Sequence, residues 1–391
     1  MIDKEKVREG FAKSFFFDPD YLFQAHGRLE IIGNHTDHNH GLCLVGGVDM
    51  GTLAAVRKTE DGVIRVISKG YRPAEVDLLR EDLAPKESEH SSSQGLIRGV
   101  AAKMKELGYR IGGFEAYLDS DIFKGAGVSS SACFESLIAG ILDSLYNDGH
   151  MDPMEMAKIG QYAENVYFGK PCGLLDQIGS CLGGLNYVDF LDLDKPEVEP
   201  LEWKLPLHAV LVNSGGSHAG LTGEYASIGD DMKSVAKNLF GKEYLRQVSR
   251  ADFFARIGMP NSSVSELAKM RATHFFEENV RVQAAAKAIR ESSPDDFLEQ
   301  IRQSGYSSTS MLQNTMVPLH YPFSPQEAID RLTPYLGAGA MRIMGGGFAG
   351  SCIAFLYPRD LPVFLQMAKK YYGESGVRVV SLVSGGPKFV E

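Results

Sequence analysis

The spacing of apolar residues changes along the chain, and each change marks a different kind of element. Phe134, Leu137, Ile138, Ile141, Leu142 and Leu145 recur at i, i+3, i+4, i+7, i+8 and i+11, which predicts a helix packed on one face. Just before them Phe114, Ala116 and Leu118 alternate with Glu115, Tyr117 and Asp119, which predicts a half-buried strand. Leu29, Ile31 and Ile32 predict another. Residues 43–48, 52–57 and 63–68 are short β-branched runs separated by glycine or by Asp61-Gly62, the pattern of adjacent antiparallel strands. Amphipathic helices are expected over 7–21, 94–107 and 152–168, the last with Pro153 in its first turn. Further strands are expected at 209–212, 351–357 and 377–383, and charge-rich helices between 228 and 302. Pro196, Pro200 and Pro206 punctuate residues 191–206, which predicts a boundary there and two domains, 1–198 and 199–391.

Four stretches carry more chemistry than these elements need. Residues 27–41, GRLEIIGNHTDHNHG, put Asn34, His35, Thr36, Asp37, His38, Asn39 and His40 directly after a strand. Buried polar groups must be hydrogen-bonded, so this cluster is either a solvated loop or a site for a polyhydroxylated ligand. Residues 121–133, DIFKGAGVSSSAC, lie between a strand and a helix. Backbone N–H groups and the helix dipole favour an anion at such a helix start, and Gly125 and Gly127 permit close approach, although serine runs also cap helices and form linkers. In GKPCGLLDQ the one acid, Asp176, stands among apolar neighbours, as a satisfied cap or as a general base. A third glycine-rich run, MRIMGGGFAG, occupies 341–350.

Composition narrows the partners. Hydrophobic residues at 44% and charged residues at 23% are ordinary globular values, and 391 residues are too many for one core. A formal net charge of -10 and a sequence pI of about 5.6 argue against nucleic acid as a partner. No window holds eighteen uninterrupted apolar residues, so neither a membrane partner nor export is expected. Five scattered cysteines without a CxxC pair support neither a disulfide framework nor a zinc site, and the expected compartment is a reducing cytoplasm.

In order and separation, these stretches resemble the signature motifs of the galactokinase branch of the GHMP kinase superfamily. GRLEIIGNHTDHNHG resembles the sugar-binding signature, KGAGVSSSA the phosphate loop and GGGFAG the third glycine motif; EN…GKPCGLLDQ and HAGLTGEY resemble two further segments. The resemblance implies an α+β fold of two domains. The N-terminal one is mixed α/β with a ribosomal-protein-S5-like core, the C-terminal one is ferredoxin-like, and the active site lies in the cleft between them. It implies ATP-dependent phosphorylation of a galactose-like sugar at its anomeric hydroxyl. Asp176 would be the base or orienter and Arg28 the cation beside the transferred phosphate. Gly125, Ala126, Gly127, Val128, Ser129, Ser130 and Ser131 would wrap the ATP phosphates, and Ser131 with Glu164 would hold Mg2+. Asn34, His35, Asp37, Gly173 and Tyr225 would contact the sugar. The implied partners are a small-molecule sugar and ATP, with the chain a monomer or weak homo-oligomer.

Some positions depart from the pattern. Asn34 stands where most galactokinases carry the glutamate that contacts the C6 hydroxyl, His38 replaces a tyrosine, His26 a proline and Lys124 an apolar residue. Loss of the acid removes repulsion of a C6 carboxylate, so galacturonate competes with galactose as the expected substrate. An alternative of another class is a non-catalytic sugar sensor; such relatives have lost part of the serine-alanine run, which is intact here from Ser129 to Ala132.

Overall fold

The computed structural model describes residues 2–80, 82–123, 125–216, 220–259 and 263–390. Lys124 and the His218-Ala219 pair lie outside them. The first helix, α1 (Lys4–Phe15), ends where Phe16 adopts a left-handed conformation, short of the expected 21, because Tyr21 already belongs to β1 (Tyr21–Ile32). Residues 43–57 form one long strand, β2 (Leu42–Lys58), where two were expected. Its glycines are points of close approach rather than turns: a Cβ on Gly51 would lie 2.0 Å from the Ala25 carbonyl oxygen of β1. β2 is long enough to pair with β1 along its length and with two other strands on its opposite edge.

β3 (Val63–Ser68), β4 (Ala74–Asp77), α2 (Ser93–Glu106) and β5 (Phe114–Ser120) follow, and then the helical layer α3 (Ser130–Tyr146), α4 (Pro153–Tyr162) and α5 (Leu175–Leu182). β6 (Leu185–Asp189) takes the first part of β2 and β7 (Glu197–Leu201) adds to β6. With β12 (Lys388–Phe389) on β1, these strands make an eight-stranded sheet ordered β12-β1-β2-β5-β3-β4, with β6 and β7 on the other part of β2. Residue 198 lies within β7.

A second sheet has the order β11-β8-β10-β9, from β8 (His208–Asn213), β9 (Ala340–Ile343), β10 (Ser351–Leu356) and β11 (Val377–Val380). Between β8 and β9 run α6 (Thr222–Phe240), α7 (Arg250–Arg256), α8 (Glu266–Arg290), α9 (Pro294–Ser307) and α10 (Pro325–Leu332), and α11 (Leu361–Tyr372) follows β10.

Apolar burial locks the two sheets together. Ile31, Ile32, Leu42 and Leu44 of the first sheet share one core with Val282 and Ala285 of α8, Phe297 and Ile301 of α9, and Ile353 and Phe355 of β10. Burying each large side chain stabilises by about 1.5–3 kcal/mol, so the end of β1 is held firmly against the second sheet. The polar stretch that follows β1 is thereby brought under the glycine-rich connection between β9 and β10.

Candidate active site

Arg28 owes its position to a bulge. The register between β1 and β2 shifts between His26 and Arg28, and bulges re-aim side chains. At Gly27 a Cβ would meet the Val128 carbonyl oxygen at 2.4 Å, so only glycine lets the 125–129 loop dock there, where Arg28 N–H donates to Val128 O at 2.9 Å. The Arg28 side chain reaches Asp176 in the first turn of α5, with Nε and Nη2 each 2.7 Å from Oδ1, and its Nη1 donates to Gly127 O. Ser129 Oγ donates to the other carboxylate oxygen at 2.7 Å. Burial alone would raise Asp176, but Arg28, then Lys170 and the Ser129 hydroxyl, outweigh it and hold the carboxyl below its ordinary range. Burial opposes the charge of Arg28 too, and Asp176 and Glu30 overcome that effect. The pair is an ionised acceptor beside a fixed guanidinium.

Local geometry bears on the sequence alternatives for the glycine-serine run and for Asp176. Gly125 and Gly127 both have positive φ, and Ser129 precedes α3 in a left-handed conformation at φ 56 and ψ 71. Ser129 makes no side-chain cap, because its hydroxyl is given to Asp176. The first N–H groups of α3 therefore stay available to an anion. Asp176 is no cap either, since its oxygens serve Arg28 and Ser129. Glu164 sits where α4 widens into a π-turn over Ala163–Phe168, a distortion common at functional sites. Its side chain is fully buried, with Oε1 accepting from Ser131 Oγ at 2.9 Å and from Lys170 Nζ at 2.8 Å, and Oε2 from Gln177 Nε2 at 2.9 Å.

The stretch after β1 is no solvated loop. Asn34, His35 and Thr36 are buried. Asn39 Nδ2 can only donate, so His38 Nδ1 accepts at 3.0 Å, His38 Nε2–H donates to His35 Nδ1 at 3.2 Å, and His35 Nε2–H donates to Gly346 O at 2.9 Å. Both ring nitrogens of His35 are engaged within the protein. Burial, then the neighbouring His38, keep His35 far below the usual imidazole range, and burial with Lys233 lowers His38 to about 4. Asn34 is equally committed: its Nδ2 donates to Glu30 Oε1 at 2.9 Å and Gly345 O at 2.7 Å, and its Oδ1 accepts from Asn314 at 2.8 Å. That spends both amide hydrogens, and the sequence offered no sign of it.

Asp37 is half-buried. Burial, only partly offset by the His38 backbone N–H, pushes its carboxyl up to about 6, and the charge of Asp176 adds to the rise. A Cβ on Gly173 would lie 2.0 Å from Asp37 Oδ2, so the turn before α5 and the wall after β1 meet there only because residue 173 is glycine. The Tyr225 ring lies 5.1 Å from that of His35, and a Cβ on Gly346 would be 2.7 Å from its edge. Asp37, Gly173 and Tyr225 thus gather near Asp176, whose charge bears on both Asp37 and Tyr225.

Sequence reading missed the residues behind this wall. Arg342 of β9 pairs with Glu30 at 3.0 Å, both buried. Glu278 of α8 accepts from Gly33 N–H at 3.1 Å and Ser304 Oγ at 2.6 Å, and His274 Nε2 bonds Asn34 O at 2.9 Å. Charges inside apolar strands, as in LEII and MRIM, were the available signal for Glu30 and Arg342; nothing local marked Glu278 or His274.

Known proteins share this fold. Residues 95–184 match the GHMP kinases N terminal domain, and residues 9–58 the galactokinase galactose-binding signature. The structure resembles Lactococcus lactis galactokinase complexed with galactose, at a TM-score of 0.82 and 24% identity over 99% of each chain. It also resembles Methanococcus jannaschii mevalonate kinase, with a TM-score of 0.65 and 11% identity over 95% of this chain and 98% of that one. Streptococcus pneumoniae phosphomevalonate kinase in complex with phosphomevalonate and AMPPNP gives 0.64 and 12% over 93% and 99%. The chain thus carries a GHMP kinase N-terminal domain and the galactokinase galactose-binding signature, on the fold of the galactokinase it resembles.

Proposed function

We propose that the chain transfers the γ-phosphoryl group of ATP to the anomeric hydroxyl of galactose. The observation that carries this reading is the Arg28–Asp176–Ser129 cluster at the start of α3. Asp176 is ionised at neutral pH and accepts the hydroxyl proton or orients the hydroxyl, while Arg28 neutralises charge on the transferring group. Phosphoryl transfer asks chiefly for such positioning and charge neutralisation. The backbone of residues 125–131 and the N-terminus of α3 cradle the ATP phosphates.

The donor set near Ser131 fits magnesium. Ser131 Oγ and Glu164 Oε1 are hard oxygens 2.9 Å apart, and Glu135 Oε1 and Gln177 Oε1 are buried nearby without a partner. No group of three or more His, Cys, Asp or Glu able to hold a metal occurs among the described residues, in keeping with an ion held by few protein ligands plus phosphate and water. Bound there, magnesium would neutralise phosphate charge. Ser131 and Glu164 would hold it.

On the sugar side, Asp37 accepts from adjacent hydroxyls, which suits the C3 and C4 configuration of galactose, with Gly173 and Tyr225 shaping the wall. The state of Asn34 supports galactose over galacturonate. A C6 carboxylate brought to Asn34 would find both amide hydrogens already donated and the Glu30 carboxylate behind them. The test is phosphorylation of galactose, N-acetylgalactosamine, galacturonate and arabinose with ATP and magnesium, followed by 31P NMR. Galactose 1-phosphate is expected as the fastest product, and preferential turnover of galacturonate would overturn the assignment.

A further inference from the structure

Lys170 has been given no part in phosphoryl transfer so far, yet its ammonium bonds one acid of the site and its charge bears on the other. Its Nζ lies 2.8 Å from Glu164 Oε1, the oxygen that Ser131 also contacts, and it ranks second to Arg28 among the charges that hold Asp176 down. Its backbone is fixed: Gly169 closes the π-turn at φ 77, and Lys170 N–H donates to Glu164 O at 3.1 Å. The side chain is free by comparison, with 49% of it exposed, whereas Glu164 is fully buried and its other oxygen is occupied by Gln177. The ammonium thus occupies the one Glu164 oxygen that faces Ser131.

Two cations on one carboxylate oxygen repel each other. An ammonium on a flexible four-carbon stem can leave, and the anions then within its reach are Asp176 and the phosphate chain over α3. Resting on the sugar-kinase reading above, we propose that Lys170 is a placeholder cation. It neutralises Glu164 in the metal-free protein, leaves that carboxylate when Mg-ATP is loaded, and moves onto the transferring phosphoryl group as a second positive charge beside Arg28. One side chain would then keep a buried acid paired before catalysis and supply charge during it.

This predicts effects of opposite sign from a single substitution. In Lys170→Met, Mn2+ binding in the presence of ADP, read by electron paramagnetic resonance, should tighten several-fold, because no ammonium has to be displaced. Galactose kcat should fall about 100-fold, the usual cost of one charge-stabilising group. Lys170→Arg should keep Mn2+ affinity near wild type and restore most of kcat, and thermal unfolding without metal verifies that both variants fold. Weaker or unchanged Mn2+ binding in Lys170→Met, or unchanged kcat, overturns the proposal. Wild-type protein under the same conditions separates the two levels: if it phosphorylates no sugar, the kinase assignment has failed, and if it does, only the role of Lys170 is in question.

Discussion

Asp37 lies close enough to feel the charge of Asp176 and burial raises both carboxyls, yet they end in different states. Asp176 has Arg28, Lys170 and the Ser129 hydroxyl around it and stays below the ordinary carboxyl range. Asp37 has little beyond backbone N–H groups to offset burial, feels the charge of Asp176, and rises to about 6. Neighbouring charge, more than depth in the protein, separates the carboxylate held ionised from the one held close to neutrality. On the proposed function, substrate completes the second environment, whereas the protein itself completes the first.

Removing the charge of Asp176 strikes the contrast hardest. Asp176→Asn should lower galactose kcat by about 10³-fold or more, with unfolding temperature and galactose binding by calorimetry close to wild type. Near-normal turnover would make the two acids equivalent after all. Behind the sugar wall, Arg342→Met leaves Glu30 without its buried partner and should destabilise the fold by about 3–5 kcal/mol in urea unfolding. A smaller loss would mean that Glu30 relaxes into another partner. Gly173→Ala places a methyl group on the Asp37 carboxylate and should raise the galactose KM about 10²-fold with much less effect on the KM for ATP.

The smallest effect is on pH dependence. Asp37 titrates near 6 in the folded protein against an ordinary 3.8, so the proton is held more tightly when folded. Its contribution to stability is full below the unfolded value and disappears as pH rises through about 6. Galactose hydroxyls need the ionised form, so affinity should fall by up to about tenfold per pH unit below 6. Calorimetric titrations across pH 5–7.5 measure this, and Asp37→Asn should abolish the inflection while weakening binding throughout.

Much of this site was legible before any fold. The glycine-serine run before an apolar stripe, the lone acid in GLLDQ and the polar cluster after LEII stood out because each depends on local spacing and on chemistry unneeded for packing, and the fold brings them together. The strand division was less legible. Gly51 reads as a break between two strands, whereas it allows β2 to run unbroken close against β1.

The polar cluster shows where sequence stopped. The motif marked Asn34 and His35 as expected sugar contacts, but not that their hydrogen-bonding groups are already committed within the protein. Their partners, Gly345 and Gly346, are each 311 residues away, in a loop of the other sheet. The sequence by itself determined which residue types stand at the strand and helix ends, because backbone periodicity places them. Only the tertiary structure decided which donors and charges remain free for substrate, because a buried polar group takes whatever partner packing brings within about 3 Å, and no local pattern records that partner.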